Sequence, residues 1–217
     1  MSDWIETICQ WIERPNPRFR CQGVGGSQGD QSEFIARVSN FLHSPPSQAE
    51  RERLTGGDLA DLLPKDFLEF YSRFNGVTLY QDLILNAHGF AATGIYIAPI
   101  AEWENLREEL QLWLDFIDDE DDDLDWLESA IAFAEVPNSG NYFLLALRGD
   151  KRGKVVYFSH DGFEFEEYAD GLTEFLVKVT SNPAKVLYEL GCYTRYTDGK
   201  TDIQWIPEAY AAGNDDF

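Results

Sequence analysis

Apolar residues recur at three- and four-residue spacing in several stretches of the chain, a period typical of amphipathic helices. The first stretch, residues 4–12, is predicted to form a helix that Pro15 ends. Residues 15–30 are rich in Pro, Arg and Gly and are predicted to be a loop. A second helix is predicted from residue 30 to the Pro45–Pro46 pair, and a capping-box pattern predicts a short third helix over 47–54. The second helix would point these side chains inward: Phe34, Ile35, Val38, Phe41 and Leu42.

Residues 59–76 carry the most informative pattern. Pro64 suits the first turn of a helix, where its missing N–H has no partner to lose. Asn75–Gly76 supplies a left-handed stop at the other end. Between these two signals the aromatic and aliphatic side chains form one apolar stripe, made of Phe67, Leu68, Phe70, Tyr71 and Phe74.

After Gly76 the period changes from helical to extended. One or two short strands are predicted over 77–85 and another over 94–98, followed by a helix from 101 into an acidic run. From residue 130 a meander of strands is predicted, then a closing helix over 172–179 and a short helical pattern around 186–190. The meander strands are 131–136, 142–147, 154–158 and one after the hairpin signal at 160–162, and Trp205 lies in a further strand or loop.

The motif in residues 59–76 resembles the leading motif of the SUKH superfamily, also called the SMI1/KNR4 family. That motif is a Leu-Pro, here Leu63–Pro64, then a helix rich in aromatic residues, then Asn-Gly. The later strands and the closing helix with Phe175–Leu176 continue the resemblance, which covers roughly residues 59–180. The chain departs from the family pattern at Ser139-Gly140-Asn141, where an acidic residue often follows the glycine, and in its unusually charged insertion around 118–125.

The resemblance implies an α+β fold, a mostly antiparallel twisted sheet with helices packed on it, to which this chain adds an N-terminal helical extension. The predicted division is 1–58 for that extension, 59–180 for the SMI1/KNR4-like domain and 181–217 for a C-terminal extension packed on the domain. The family is known mainly for binding proteins, with bacterial members acting as toxin-neutralising immunity proteins, and not for catalysis. We interpret its motif residues as fold determinants: Leu63, Pro64, Phe67, Asn75 and Gly76.

The net charge of −22, from 17 basic and 39 acidic residues, argues against nucleic acid and anionic membranes as direct partners. A basic protein is the partner that such a negative field would attract, although solubility alone also explains an acidic chain. The N-terminal residues lack a secretory pattern, and the longest apolar runs are far short of the roughly 20 residues of a membrane span. We therefore expect a cytoplasmic protein. The oligomeric state is left open.

Residues 115–125 contain eight carboxylates. An EF-hand calcium loop is excluded because, from Asp119, its sixth residue would be Leu124 and its twelfth Ala130, in place of Gly and Glu. A solvated loop and an electrostatic contact surface for a basic partner stay open as alternatives. Trp126 beside the run is either an aromatic anchor of that contact or a core residue. The candidate partner-binding residues are Asp118, Asp119, Glu120, Asp121, Asp122, Asp123, Asp125 and Trp126.

Other candidate chemistry is weak. The glycine-rich stretch 23–29 lacks the Gly-Lys-Ser/Thr end of a phosphate-binding loop and is interpreted as a linker. Cys9, Cys21 and Cys192 do not have metal-site spacing and are interpreted as buried free thiols in a reducing compartment. No HExxH or GxSxG motif is present, so we expect no cofactor, no metal and no enzymatic activity.

Three functions follow from this pattern. The first is a non-catalytic immunity protein that binds and neutralises a cognate toxin, for which a basic nuclease is a fitting class. The second is a regulatory or scaffold interaction protein, as the fungal members of the resembled family suggest. The third and most remote is a small-molecule-binding enzyme built on the same sheet, which would require a deep pocket with perturbed titratable groups.

Overall fold

The computed structural model describes residues 3–12, 18–24, 33–86, 89–116, 124–190, 196–197 and 204–207. The helices in this part of the chain are α1 (Asp3–Ile12), α2 (Gln48–Thr55), α3 (Gly57–Leu62), α4 (Lys65–Tyr71), α5 (Trp103–Leu114), α6 (Leu172–Ser181) and α7 (Pro183–Glu189). The strands are β1 (Arg18–Val24), β2 (Glu33–Leu42), β3 (Val77–Asp82), β4 (Ile95–Ile97), β5 (Ile131–Val136), β6 (Asn141–Leu145), β7 (Val155–Ser159), β8 (Glu164–Ala169) and β9 (Gln204–Pro207). Short 3-10 turns at Ile100–Glu102 and Leu127–Ser129 lie before α5 and before β5.

The nine strands form one sheet in the order β8-β7-β6-β5-β4-β3-β2-β1-β9. Every neighbouring pair is antiparallel, and strands β1 to β8 follow one another in the sheet as they do in the sequence. Strand β9 then returns to pair with β1. The prediction of an α+β fold with a mostly antiparallel sheet is confirmed, and β8 is left as one of the two edge strands.

Helices α4 and α6 cover one face of the sheet with interlocking aromatic rings. Phe67 of α4 and Phe175 of α6 both pack on Phe133 of β5, with ring centroids 5.5 and 5.4 Å away. Phe175 also contacts Phe143 of β6 at 4.8 Å. All four rings are fully buried. Since burial of one such side chain stabilises a fold by about 1.5–3 kcal/mol, this face is the main core.

The helix predicted to begin at Pro64 is α4, and the residues before Leu63–Pro64 form a separate short helix, α3. Pro64 is the residue before α4, with φ −61° and ψ 149°, so it lies one position earlier than predicted. Helix α4 ends at Tyr71, three residues before Phe74. The apolar stripe is confirmed, because Phe67, Phe70 and Tyr71 are buried while Leu68 and Phe74 are half-buried.

Asn75 and Gly76 tie the exit of α4 to two other segments. The Asn75 side-chain Nδ2 donates to Oε1 of Glu50 in α2 at 2.7 Å, and its Oδ1 accepts from the backbone N–H of Ile100 at 2.9 Å. Gly76 has φ +103°, and a Cβ at this position would lie 2.3 Å from the carbonyl oxygen of Ile97. Both observations support the interpretation of these two residues as fold determinants.

The N-terminal quarter is only partly helical, which corrects the predicted helical extension. Helices α1 and α2 agree with the sequence pattern, but residues 18–24 and 33–42 are strands. Strand β2 pairs with β1 along its first half and with β3 along its second half. These hydrogen bonds to distant segments outweigh a helical spacing of apolar residues. Val38 is buried as predicted, whereas Phe41 is 44% exposed.

The sheet extends across the predicted boundary at residue 58, since β2 pairs with β3. The C-terminal segment is attached to the same region. Tyr196 donates its hydroxyl to the backbone oxygen of Tyr80 at 3.1 Å, and the backbone N–H of Thr197 donates to Oδ2 of Asp82 at 3.1 Å. The division into 1–58, 59–180 and 181–217 stays a prediction.

Cys9 is half-buried, so the expectation of a buried cysteine is wrong at this position. Cys192 lies outside the described residues, as do residues 25–29 of the predicted linker. Gly23, which was assigned to that linker, belongs to strand β1.

Candidate functional site: an acidic and aromatic surface

Both described ends of the acidic run contact the hairpin formed by β7 and β8. At the first end Phe116 follows α5, and its ring centroid lies 6.4 Å from that of Phe163 in the hairpin turn. At the second end Trp126 packs edge-on against Phe165 of β8, with centroids 5.5 Å apart. The run therefore starts and finishes beside the same edge strand of the sheet.

The structure separates the predicted site residues into three groups. Residues 118–123 of the prediction lie outside the described residues. Asp125 is exposed to solvent. Trp126 is only 2% exposed, and Lys151 Nζ lies 5.1 Å from the centre of its ring. In this position Trp126 is a core residue, which is the alternative that its sequence context left open, and its ring offers no surface to a partner.

Three other large apolar side chains are exposed beside the run, and we call Leu112, Phe116 and Phe163 the exposed apolar patch. Leu112 is 66% exposed and Phe116 is 73% exposed. They are four residues apart and so project from the same side of the α5 end. Sequence reasoning missed both residues. Their offset from the spacing of the buried α5 residues Trp103, Leu106 and Leu110 was available as a signal.

Phe163 reaches the patch through a strained backbone. Its φ is +53°, a left-handed conformation that is rare for a bulky residue. Phe163 is 36% exposed, whereas Tyr80, which also has a positive φ, is fully buried. Strain of this kind persists where the surrounding structure holds it, and it is often found at binding sites.

Negative charge surrounds the exposed apolar patch. Residues 108–147 contain twelve acidic residues and no Lys or Arg. Among the described carboxylates, Asp115 adjoins Phe116 in the chain, Glu164 adjoins Phe163, and both are exposed. By contrast, Asp82 is the only acidic residue in 77–99, where other exposed apolar side chains lie. Exposed aromatic groups with a charged rim are the usual composition of a protein-binding surface.

A cleft of about 380 Å³ lies against the beginning and end of the run. It is lined by Arg107, Gln111 and Asp115 of the α5 segment and by Glu128 from the segment after the run. Burial lowers the pKa of Arg107, and its Nη1 has no hydrogen-bond partner in the described structure. Arg107 therefore places an unpaired donor in this cleft, where it could receive a carboxylate.

The described residues contain no group of three or more His, Cys, Asp or Glu side chains placed to hold a metal ion. Nor does any helix in the described ranges combine the length and apolar character of a membrane span. His43 and His160, the two histidines in these ranges, have structural partners. His43 Nε2 lies 2.8 Å from Thr78 Oγ1, and His160 Nδ1 lies 2.8 Å from Asn141 Oδ1.

Comparison with protein-family models gives a match. The model of the SMI1 / KNR4 family (SUKH-1) matches residues 61–178, more than half of the 217 residues. This range spans α4, α5 and strands β3 to β8, and it includes the motif residues Asn75–Gly76 and the exposed apolar patch. A comparison with curated proteins finds no match.

Proposed function

Because this chain belongs to the SMI1 / KNR4 family (SUKH-1), we propose that it is a non-catalytic protein-binding module in the cytoplasm. More specifically, we propose an immunity protein that neutralises a cognate toxin by direct binding, with a basic nuclease as the class of toxin. The observation that carries this proposal is the exposed apolar patch within a region of twelve acidic residues and no basic ones.

The physical argument is complementarity. A nuclease must present Lys and Arg to the phosphates of its substrate. A protein with a net charge of −22 attracts such a surface over long range. The carboxylates then set orientation and rate of association, while burial of Leu112, Phe116 and Phe163 supplies affinity. No chemical step is needed, since the bound protein blocks access of the substrate.

The first test is capture of partners from the native cell lysate by the wild type and two charge variants. The loop variant carries Asp119→Asn, Asp121→Asn, Asp122→Asn and Asp123→Asn. The matched control removes the same charge from exposed positions elsewhere, with Glu6→Gln, Asp58→Asn, Asp61→Asn and Glu189→Gln. We expect a basic protein whose nuclease activity the wild type blocks at equal molar amounts, and weaker capture by the loop variant only.

A second pair of variants tests the exposed apolar patch. Leu112→Ala with Phe116→Ala should weaken the captured complex by about tenfold or more, as loss of an interface anchor does. The control, Leu85→Ala with Phe90→Ala, removes side chains of similar exposure, 57% and 70%, from the β3–β4 connection and should leave binding unchanged. Equal weakening by both pairs would move the binding surface away from α5.

The nature of the captured protein separates the two binding functions. A partner that is neither toxic nor a nuclease would favour the regulatory or scaffold alternative. Identical capture by the wild type and the loop variant would leave the acidic run as a solvated loop.

A further inference from the structure

An open cleft of about 580 Å³ lies between the end of α5, the β5–β6 turn and the β7–β8 turn. Two carboxylates, an indole ring, a phenol and an imidazole line it. These come from Glu109, Trp113, Glu135, Tyr142 and His160. No Lys or Arg is among the described residues that line it, so its charge is negative.

Neighbouring groups hold the indole of Trp113 in place. Its ring centroid is 4.9 Å from that of His160. Gly140, at φ +77°, lies so close to the indole that an added Cβ would be 2.8 Å from two of its ring carbons. The backbone N–H of His160 donates to Asn141 Oδ1 at 3.0 Å, which fixes the turn that carries the imidazole. The wall of the cleft is therefore preorganised.

The carboxylates of Glu109 and Glu135 both place negative charge beside Tyr142. Burial is the largest cause that raises the pKa of Tyr142 to about 12, and the negative charges of Glu109 and Glu135 contribute to this rise, against a hydrogen bond from Trp113. Glu135 lies directly opposite Tyr142 in the β5–β6 ladder, so both side chains are on one face of the sheet. A cation in the cleft would relieve this concentration of negative charge.

We propose that this cleft binds a guanidinium group, the side chain of an arginine on a partner protein. Guanidinium is planar, hydrogen-bonds to carboxylates through several N–H groups and stacks on aromatic rings, and the cleft offers both kinds of contact. Its carboxylates exclude an anion. A metal ion fits less well, because the described residues include no set of three or more ligands suitably placed. The partner's identity as a basic protein rests on the proposed function, whereas the preference for guanidinium rests on the cleft.

The probe is N-acetyl-arginine amide, added to the ¹⁵N-labelled full chain while the indole N–H signals are followed by NMR. Trp113→Phe identifies the Trp113 signal. We expect a saturable shift of this signal with the arginine amide and none with the uncharged citrulline amide. An equal response to the citrulline or the lysine amide would overturn the assignment to guanidinium.

Charge variants test the role of the carboxylates. Glu109→Gln with Glu135→Gln should raise the dissociation constant for arginine amide by about tenfold or more, since charge-assisted hydrogen bonds are lost. The control, Glu108→Gln with Glu128→Gln, removes two charges from exposed positions outside the cleft and should change it little. Equal weakening by both pairs would show that the overall negative charge of the protein, and not this cleft, attracts the arginine amide. The titration contains no partner protein. A negative titration therefore does not contradict the proposed function, and a failed capture experiment does not contradict guanidinium binding by the cleft.

Discussion

Asn75→Ala should lower the free energy of unfolding by about 2–4 kcal/mol. The side-chain Oδ1 of Asn75 accepts a hydrogen bond from the backbone N–H of Ile100, a residue with no exposed surface. Leaving this N–H without an acceptor costs about 1–3 kcal/mol. The hydrogen bond to the Glu50 carboxylate contributes about 1 kcal/mol more, because Glu50 is half-buried and can turn to water.

The neighbouring carboxylate provides an internal control. Asn75→Asp keeps an oxygen for Ile100 but places a second carboxylate against Glu50, so it should also destabilise the fold. Adding Glu50→Gln to this variant restores a donor and should recover part of the loss. Urea unfolding at neutral pH measures all of these variants. A loss below about 0.5 kcal/mol for Asn75→Ala, the size of an ordinary surface substitution, would refute the proposed link.

The pH dependence has a definite sign. The hydrogen bond from Ser47 is the largest cause that lowers the pKa of Glu50 below its ordinary value of 4.5, and Asn75 adds to it against the opposing effect of burial. A carboxyl group whose pKa is lowered by folding stabilises the fold at pH values above its unfolded-state pKa. This stabilisation is lost as the pH falls through its folded-state pKa. The coupling between Asn75 and Glu50 in a double-mutant cycle should therefore shrink in acid and be full at neutral pH.

Four further changes have expected outcomes. Gly140→Ala should lower the free energy of unfolding by about 1–3 kcal/mol, because φ is +77° and the new Cβ would meet the ring of Trp113. An unchanged free energy of unfolding in urea would contradict this. Trp126→Ala should cost about 3–5 kcal/mol in the same assay, as expected of a core residue 2% exposed, and a loss below about 1 kcal/mol would place it at the surface. Phe163→Gly should leave stability unchanged or raise it by up to about 1 kcal/mol, because it relieves a φ of +53°, and thermal unfolding that shows a clear loss would argue otherwise. Burial raises the pKa of Asp82 above its ordinary value, so the stability tied to its proton is present below the unfolded-state pKa and is lost as the pH rises through the folded-state pKa. Relative to Asp82→Asn, the wild type should therefore lose stability as the pH rises from acid towards neutral, and a difference that stays constant with pH would contradict this.

The sequence pattern failed to predict strands β1 and β2 for one reason. Residues 33–42 carry apolar side chains at helical spacing, yet β2 lies between β1 and β3 and hydrogen-bonds to both. Its partners are residues 18–22 on one side and 77–82 on the other. A pattern within ten residues contains no information about these partners, so the local period was misleading.

The candidate site also combines features that the sequence reveals with features that only the tertiary structure reveals. The acidic run and its neighbour Trp126 can be identified from the sequence. The burial of Trp126, however, depends on Phe165, nearly forty residues later in the chain. The exposed apolar patch joins α5 to the β7–β8 turn through Phe116 and Phe163. The cleft proposed to bind guanidinium likewise combines Glu109 with His160, which are distant in the chain.

The sequence by itself determined what short-range physics controls. The capping box at Ser47, the buried stripe of α4 and the positive φ of Gly76 follow from residues within a few positions of one another. The tertiary structure alone decided which strands pair, which aromatic rings are covered and which carboxylates share a cleft. Those outcomes depend on hydrogen bonds and contacts between segments far apart in the chain, and no local period encodes which distant segment will supply them.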